Sequence, residues 1–501
     1  MIEHETTAKA VFRCATILAV LVLLTEVVAG NEVTKPNIVF ILADDLGFGD
    51  VQCLNPGRGK IATPHLDRLA AQGMTLTDAH GGSSVCTPTR YGLLTGRYAW
   101  RTRLQAGVLD GGNDAPLIAE NRLTLPTMLR GQGYATACIG KWHLGFRSES
   151  KAGGDLGRKG TGSSGLPLDA TIIGGPTTRG FDYFWGCSNA RTMASLIEND
   201  RVSEILPPIE MMPRLTARAV EYVSAAAASD SGRPFFLYLP LTSPHLPIVP
   251  SPAWQGKSDL GPYGDFVMQT DDGVGQILTA LDQHKLSNNT LVIFTSDNGC
   301  AIQAGTARLE ELGHYASGQY RGYKTDIWDG GHRVPFFVRW PNIIPAGTRS
   351  DALFCFTDMM ATIAELLAVK LPDNAAEDSV SQWSVWRGAS PSAPRQSIVH
   401  HSIEGQFAIR RGPWKLNFCA GSGGQSKPNN ALAVEQGMPK QQLYSLDIDP
   451  TESNNLYAQN SEVVREMSAL LQGYIDRGRS TEGTLQANDV PVRKPVSLLL
   501  K

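Results

Sequence analysis

Two short acidic stretches carry the side chains best suited to hold a metal ion. Asp44-Asp45 follows an apolar run over residues 37–42, and Asp297-Asn298 follows another over residues 291–294. Both offer only oxygen donors, and hard oxygen donors select calcium, magnesium or manganese over zinc or copper. Such a set suits a roughly six-coordinate ion with positions left for a substrate. Arg90, Lys141, His143, His245 and Lys324 follow motifs that expose them at strand or helix ends. A metal with several cations defines a pocket for a compact oxyanion. The chemistry that fits is hydrolysis of a sulfate or phosphate ester, with the developing charge stabilised by fixed groups. Taken singly, each residue has a plainer reading: Asp and Asn favour caps and turns, and a lone charge is usually solvated. Only their convergence would favour a site.

Cys86 heads the run Cys86-Thr87-Pro88-Thr89-Arg90. Pro88 fits the first turn of a helix, where its missing N–H costs nothing. Backbone donors at a helix start favour an anion or a thiolate. On residue type alone Cys86 stays open between a nucleophile using His143 or His245 as base, a metal ligand, and an inert buried thiol.

These groups need a scaffold, and the chain supplies a repeating one. Apolar runs end abruptly in polar residues: 37–42 before Asp44, 135–139 before Lys141 and His143, 235–239 before His245, and 291–294 before Asp297. Continuous apolar runs of this kind read as strands buried on both faces of a parallel sheet. Helical spacing lies between them, over 63–72, 123–131 and 268–284. The alternation predicts an α/β fold, and in such sheets ligands sit at the carboxyl ends of the strands. Residues 147–180 are rich in Gly, Ser and Thr and read as a long surface loop or flap. Beyond about residue 375, residues 406–418 alternate as an antiparallel pair, 443–446 reads as another strand, and an amphipathic helix begins at Ser461 and closes at Gly478. This predicts a small C-terminal α+β domain.

The composition is that of a globular chain. Of 501 residues, 42% are hydrophobic and 19% charged, and the formal net charge is −3. No block of Lys or Arg stands out, which speaks against nucleic acid as a partner. Lys9 and Arg13 precede an apolar run from Cys14 to Leu24, and small residues follow, so residues 1–29 read as a secretory signal peptide. The run is too short for a stable membrane span. Export to a periplasmic, secreted or lysosome-like compartment is therefore expected. The eight cysteines are scattered, with no C-x-x-C pair, and read mostly as buried small hydrophobes.

With its motifs assembled, the sequence resembles the formylglycine-dependent (type I) sulfatases, in their arylsulfatase-A-like branch of the alkaline phosphatase superfamily. Cys86-Thr87-Pro88-Thr89-Arg90 matches the C-x-P-x-R signature and continues characteristically to Leu94-Thr95-Gly96-Arg97. Gly140-Lys141-Trp142-His143-Leu144-Gly145 is similar to the second signature. The similarity runs from about residue 35 to residues 443–456. It implies a large, mostly parallel mixed sheet flanked by helices, with a catalytic domain over 33–375, a small antiparallel-sheet domain over 376–490 and a tail over 491–501.

The resemblance also implies roles. Cys86 would be converted by a maturation enzyme to formylglycine (3-oxoalanine), whose hydrate supplies the attacking hydroxyl. Asp44, Asp45, Asp297 and Asn298 would hold one calcium ion, with residue 86 completing the shell. Arg90 would steady the hydrate. Lys141 and Lys324 would bind the sulfate oxygens, and His245 with Lys324 would protonate the leaving alcohol. His143 would take the proton from the second hydroxyl as sulfate is expelled. Ser188 would help orient substrate. The expected substrate is a sulfated small molecule or glycan, either an aryl sulfate or a sulfated sugar. A phosphonate or phosphodiester hydrolase, and a non-catalytic binder of sulfated glycans with Cys86 unmodified, are the competing readings. Specificity is expected from residues 147–180 and 299–322, while Trp185 and Trp254 read as packing residues.

Overall fold

The five apolar strands that build the centre of the molecule lie side by side because neither face could be left in water. In the computed structural model, which describes residues 35–110, 113–150, 165–389 and 394–493, they run parallel in the spatial order Thr290–Ser296, Asn37–Asp44, Phe235–Pro244, Ala135–Lys141 and Tyr183–Cys187. Register is tight: Ala43 lies opposite Ser296 and Asp44 opposite Pro244. The carboxyl ends of neighbouring strands therefore meet at one edge. Antiparallel strands extend both margins to a twelve-stranded mixed sheet.

Helices cover both faces. Pro64–Gln72, Pro208–Ala228 and Pro262–Gln283 pack on one side, burying Leu66, Leu215 and Ile277 against Val39, Ile41 and Leu237. All three start with proline in the first turn, where no N–H is needed. The helix Cys86–Thr95 is different, for all ten of its residues are buried. A helix apolar or occluded all round belongs inside a protein, and this one packs with Tyr91, Leu93 and Leu94 in the core of the other face.

The C-terminal strands Ser397–His401, Phe407–Arg411, Trp414–Asn417 and Gln442–Ser445 form an antiparallel sheet. The helix Ser461–Asp476 covers it, placing Val464, Met467 and Leu471 on Ile398, Ile409 and Leu416. Its N-cap is Asn460, one residue before the expected Ser461. From Asn37 onward the chain forms one compact unit. A buried ion pair joins the small sheet to the rest: Lys415 Nζ lies 2.7 Å from Asp329.

The predicted loop over residues 147–180 is partly ordered strand. Arg147–Glu149 pairs antiparallel with Thr171–Ile173, and Pro176–Arg179 makes a 3-10 turn. Residues 151–164, the middle of the proposed flap, lie outside the described residues, as do the proposed signal peptide and residues 494–501. Among the described residues no helix is long and apolar enough to cross a membrane. The seven described cysteines are all free and six are buried, as their scatter led one to expect.

Candidate active site

Asp44 is the last residue of its strand, and Asp45 turns away with φ 66°. The turn is held from below: Tyr263 Oη donates to Asp50 (2.6 Å), and His314 Nε2 sits 2.8 Å from the other Asp50 oxygen. Asp297 and Asn298 follow the adjacent strand. Asp45 N donates to Asp297 Oδ1 (3.3 Å), and Asn298 Nδ2 donates to Asp45 Oδ1 (2.8 Å). The four side chains expected at a metal are thus brought together, all fully buried.

Cys86 opens its helix beside them. Ligand atoms of Asp44, Asp45, Cys86 and His245 lie within 4.8 Å of one another. Arg90, one turn on, donates from Nε (3.0 Å) and Nη2 (2.7 Å) to Asp297 Oδ2 and from Nη1 to the Lys141 carbonyl (2.9 Å). Lys141 Nζ donates to Asp44 Oδ2 (2.6 Å). Lys324 Nζ reaches both oxygens of Asp45, at 2.6 and 2.7 Å. His245 Nε2 is 3.6 Å from Asp45, while its Nδ1 contacts the Leu246 carbonyl.

The electrostatics follow from this crowding. Burial opposes ionisation of Asp44 and Asp45, yet the cations around them outweigh it and hold both carboxyls below the usual range. Burial likewise opposes the Cys86 thiolate, but Lys141 and Lys324 outweigh that and lower its pKa. His143, with φ 53°, is pushed down to about 3 by burial and by Lys141 and Arg90. Its Nε2 lies 2.8 Å from the Leu109 carbonyl, which can only accept, so Nε2 carries the hydrogen. Nδ1 is buried with no partner and is left as a free base.

Glycine lets this edge close up. Gly140 has φ 136°, and a Cβ there would sit 1.9 Å from the Pro240 carbonyl. Close approach of the two strands requires its absence.

Asp45, Cys86, Lys141, His143, His245 and Lys324 line a cavity of about 290 Å³. Asp44, Arg90, Asp297 and Asn298 lie beneath its lining. Ser188 is not among the lining residues: its hydroxyl pairs with Thr192 Oγ1 (2.6 Å), and its carbonyl accepts from His143 N (2.7 Å). Trp185 is buried in the sheet and Trp254 half-buried, and neither lines the cavity. From the expected specificity segment 299–322 come Ala301 and Gln303, whereas no described residue of 147–180 contributes. Leu109, Asp110, Asn189, Arg191, Ile403 and Gln425 also line the wall and carried no motif. Of these only Asn189 had a readable local signal, since Asn readily caps a helical turn, and its Oδ1 does accept from Arg191 N (2.8 Å) and Thr192 N (3.0 Å).

Two other places were candidates by residue type. His80, His332 and His400 cluster in the interior. There, however, His80 Nδ1 meets His332 Nδ1 at 3.0 Å, Lys415 Nζ stands 3.2 Å from His332 Nε2, and the His332 and His400 rings stack at 3.8 Å. Stacked rings beside a cation do not converge on an ion. A larger cleft of about 630 Å³ runs along Arg333, Arg395 and Arg410, but these are already paired with Asp78 or Asp358.

The oxygen-donor set fits a hard cation on its own geometry, because Asp44 Oδ1 and Asn298 Oδ1 are buried without a hydrogen-bond partner. Comparison with known proteins gives the family. The family model described as Sulfatase matches residues 36–369. The chain is 34% identical to an N-acetylgalactosamine-6-O-sulfatase of Bacteroides thetaiotaomicron, over 88% of this chain and 94% of the relative. It is 34% identical to human arylsulfatase A, over 87% and 86%. A solved structure from work on glycosaminoglycan metabolism by Bacteroides thetaiotaomicron superposes with a TM-score of 0.75 at 33% identity, over 88% of this chain and 99% of that one. A buried acidic cluster, a cysteine at a helix start and two lysines in one cavity thus sit on a shared fold, and the chain belongs to the sulfatase family of sulfuric-ester hydrolases.

Proposed function

We propose that this chain hydrolyses the sulfate ester of a sulfated sugar, using a nucleophile made from Cys86 beside one calcium ion. The observation that carries the reading is the convergence of Asp44, Asp45, Cys86 and His245 within 4.8 Å, with Lys141 and Lys324 lining the same cavity. Asp44, Asp45, Asp297 and Asn298 would hold the ion together with residue 86. Calcium would supply positive charge to the sulfate oxygens and to the attacking oxygen. Conversion of Cys86 to formylglycine by a maturation enzyme would turn a thiol into a hydrated aldehyde bearing two hydroxyls.

The chain's own residues do the rest. Lys141 and Lys324 hold the sulfate oxygens by charge-assisted hydrogen bonds. Arg90 fixes Asp297 and the ground beneath residue 86. His245, with Lys324, protonates the ester oxygen as the sugar leaves. His143 Nδ1, held as a free base by the Nε2 contact, accepts the proton from the second hydroxyl when sulfate is released. Ser188 acts in this reading through the His143 backbone.

A sugar is preferred to an aryl group because Asn189, Gln303 and Gln425 bring amide groups to the cavity wall. Amides suit a ring with several hydroxyls. The N-acetylgalactosamine-6-O-sulfatase relative points the same way. Export after removal of residues 1–29, and a division near residue 375 into catalytic and smaller domains, belong to the same reading. The test is turnover of p-nitrophenyl sulfate and a panel of sulfated sugars against a phosphodiester analogue. Preference for the sulfate esters is expected, and preference for the phosphodiester would overturn the assignment.

A further inference from the structure

The cavity holds one cation that the reaction does not use. Arg191 lines the same wall as Cys86, Lys141 and Lys324. Lys141 and Lys324 are each paired with a carboxylate at 2.6 Å. Arg191 makes no ion pair with any described carboxylate, Asp110 of the same wall included, and its side chain is exposed. Its backbone, by contrast, is firmly placed. Asn189 Oδ1 accepts from the N–H groups of Arg191 (2.8 Å) and Thr192 (3.0 Å), and the preceding Ser188 carbonyl accepts from His143 N (2.7 Å). The turn over residues 189–192 is thus tied to a residue of the reaction centre while the guanidinium at its head is exposed and unpaired with any described carboxylate. A guanidinium on a fixed mount beside an oxyanion pocket is suited to grip a second planar or tetrahedral oxyanion by two parallel bonds.

We propose that Arg191 binds a second anionic group of the substrate, chemically a carboxylate or a further sulfate, so that the preferred substrate is an acidic sulfated glycan and not a sugar whose only charge is the scissile ester. This rests on the sulfatase reading of the cavity and names the substrate class within it. Asp110 of the lining carries a charge of the wrong sign for an anion, so the second group must approach from the side of the two glutamines. Gln303 Nε2 donates to Gln425 Oε1 (2.7 Å), closing a polar lip, and Gln425 N donates to Thr325 Oγ1 (3.0 Å), next to Lys324. Neither amide repels an anion.

The test compares three substrates: N-acetylgalactosamine 6-sulfate, a chondroitin 6-sulfate disaccharide that adds a carboxylate, and N-acetylgalactosamine 4,6-disulfate, which adds a sulfate. In R191Q, kcat/KM for one of the two doubly charged substrates relative to the singly charged one is expected to fall about tenfold or more, the usual cost of a lost hydrogen bond between charged groups. The fall should sit in KM with kcat kept, and R191K should recover part of it. Which substrate responds tells carboxylate from sulfate. An unchanged ratio for both overturns the proposal. If the wild-type protein hydrolyses none of the three, the sulfate-ester reading is tested separately by the panel that includes p-nitrophenyl sulfate and the phosphodiester. Calorimetry of full-length Cys86→Ala protein with the same sugars then decides Arg191 alone: affinity about tenfold weaker in the R191Q background supports it, and equal affinity, or no binding of either doubly charged sugar, overturns it.

Discussion

Lys324 and Asp45 face each other at the floor of the cavity, the ammonium 2.6 and 2.7 Å from the two carboxylate oxygens. Lys141 holds Asp44 in the same way at 2.6 Å. Each lysine assigned to the sulfate is therefore held by a carboxylate assigned to the metal. A cation taking up those carboxylates frees both ammonium groups for substrate, so metal and sulfate binding should be linked.

Inorganic sulfate, the reaction product, should consequently bind well only with calcium present. Calorimetry with calcium and after chelation should differ by about tenfold or more in affinity, the usual size of coupling between sites. Equal affinity under both conditions would break the link.

Removing Asp297 should harm the fold as well as metal binding. Its carboxylate is the partner of Arg90, and both side chains are fully buried. Asp297→Ala strands that guanidinium, which costs about 3–5 kcal/mol. Thermal melts of the metal-free protein should show the loss. A variant as stable as wild type would mean that Arg90 finds another partner.

Gly140→Ala tests the geometry of the strand end. A methyl 1.9 Å from the Pro240 carbonyl, at φ 136°, cannot be accommodated without moving one strand. Lys141, the next residue, would move with it. Lower thermal stability and lower kcat are expected together, and loss of neither would show that the edge is slack.

Acid should destabilise the protein through its buried histidines. Burial pushes His401 down to about 4, only partly offset by a contact with the Gly82 backbone. Burial also lowers His80, His332 and His400. Unfolded histidine titrates at about 6.5, so the unfolded chain binds more protons as the pH falls below that value. The histidine contribution to stability is full above about pH 6.5 and is lost on descent towards about pH 4, by about 3 kcal/mol for His401 alone. Urea denaturation across that range should show it, with a shallower slope in His401→Gln. An identical slope would mean that His401 is already protonated in the fold.

Much of the site was legible because its parts sit at strand ends. Asp44, Lys141, His245 and Asp297 each follow an apolar run that could only be a buried strand, and parallel register then carries all four to one edge. Cys86 was legible through its signature, and its helix through Pro88. The lining residues were not. Arg191 reaches the cavity from a single 3-10 turn, and Ile403 and Gln425 from irregular segments, none long enough to have a period that betrays which way a side chain points. Ile403 is placed by its N–H on the Thr325 carbonyl (3.1 Å) and by Gly107 N on its own carbonyl (2.7 Å), contacts between segments far apart in sequence. The antiparallel margins of the large sheet were hidden for a related reason. Strands of three to five residues such as Thr171–Ile173 and Arg201–Ile205 are too short to alternate visibly.

The proposed chemistry depends on the chemical state of residue 86. Mass spectrometry of the peptide carrying Cys86, taken from protein that is actively releasing sulfate, reads that state directly. The account predicts an aldehyde: the side chain has exchanged sulfur for oxygen and lost two hydrogens. An unmodified thiol in a preparation that hydrolyses sulfate esters at full rate would contradict it.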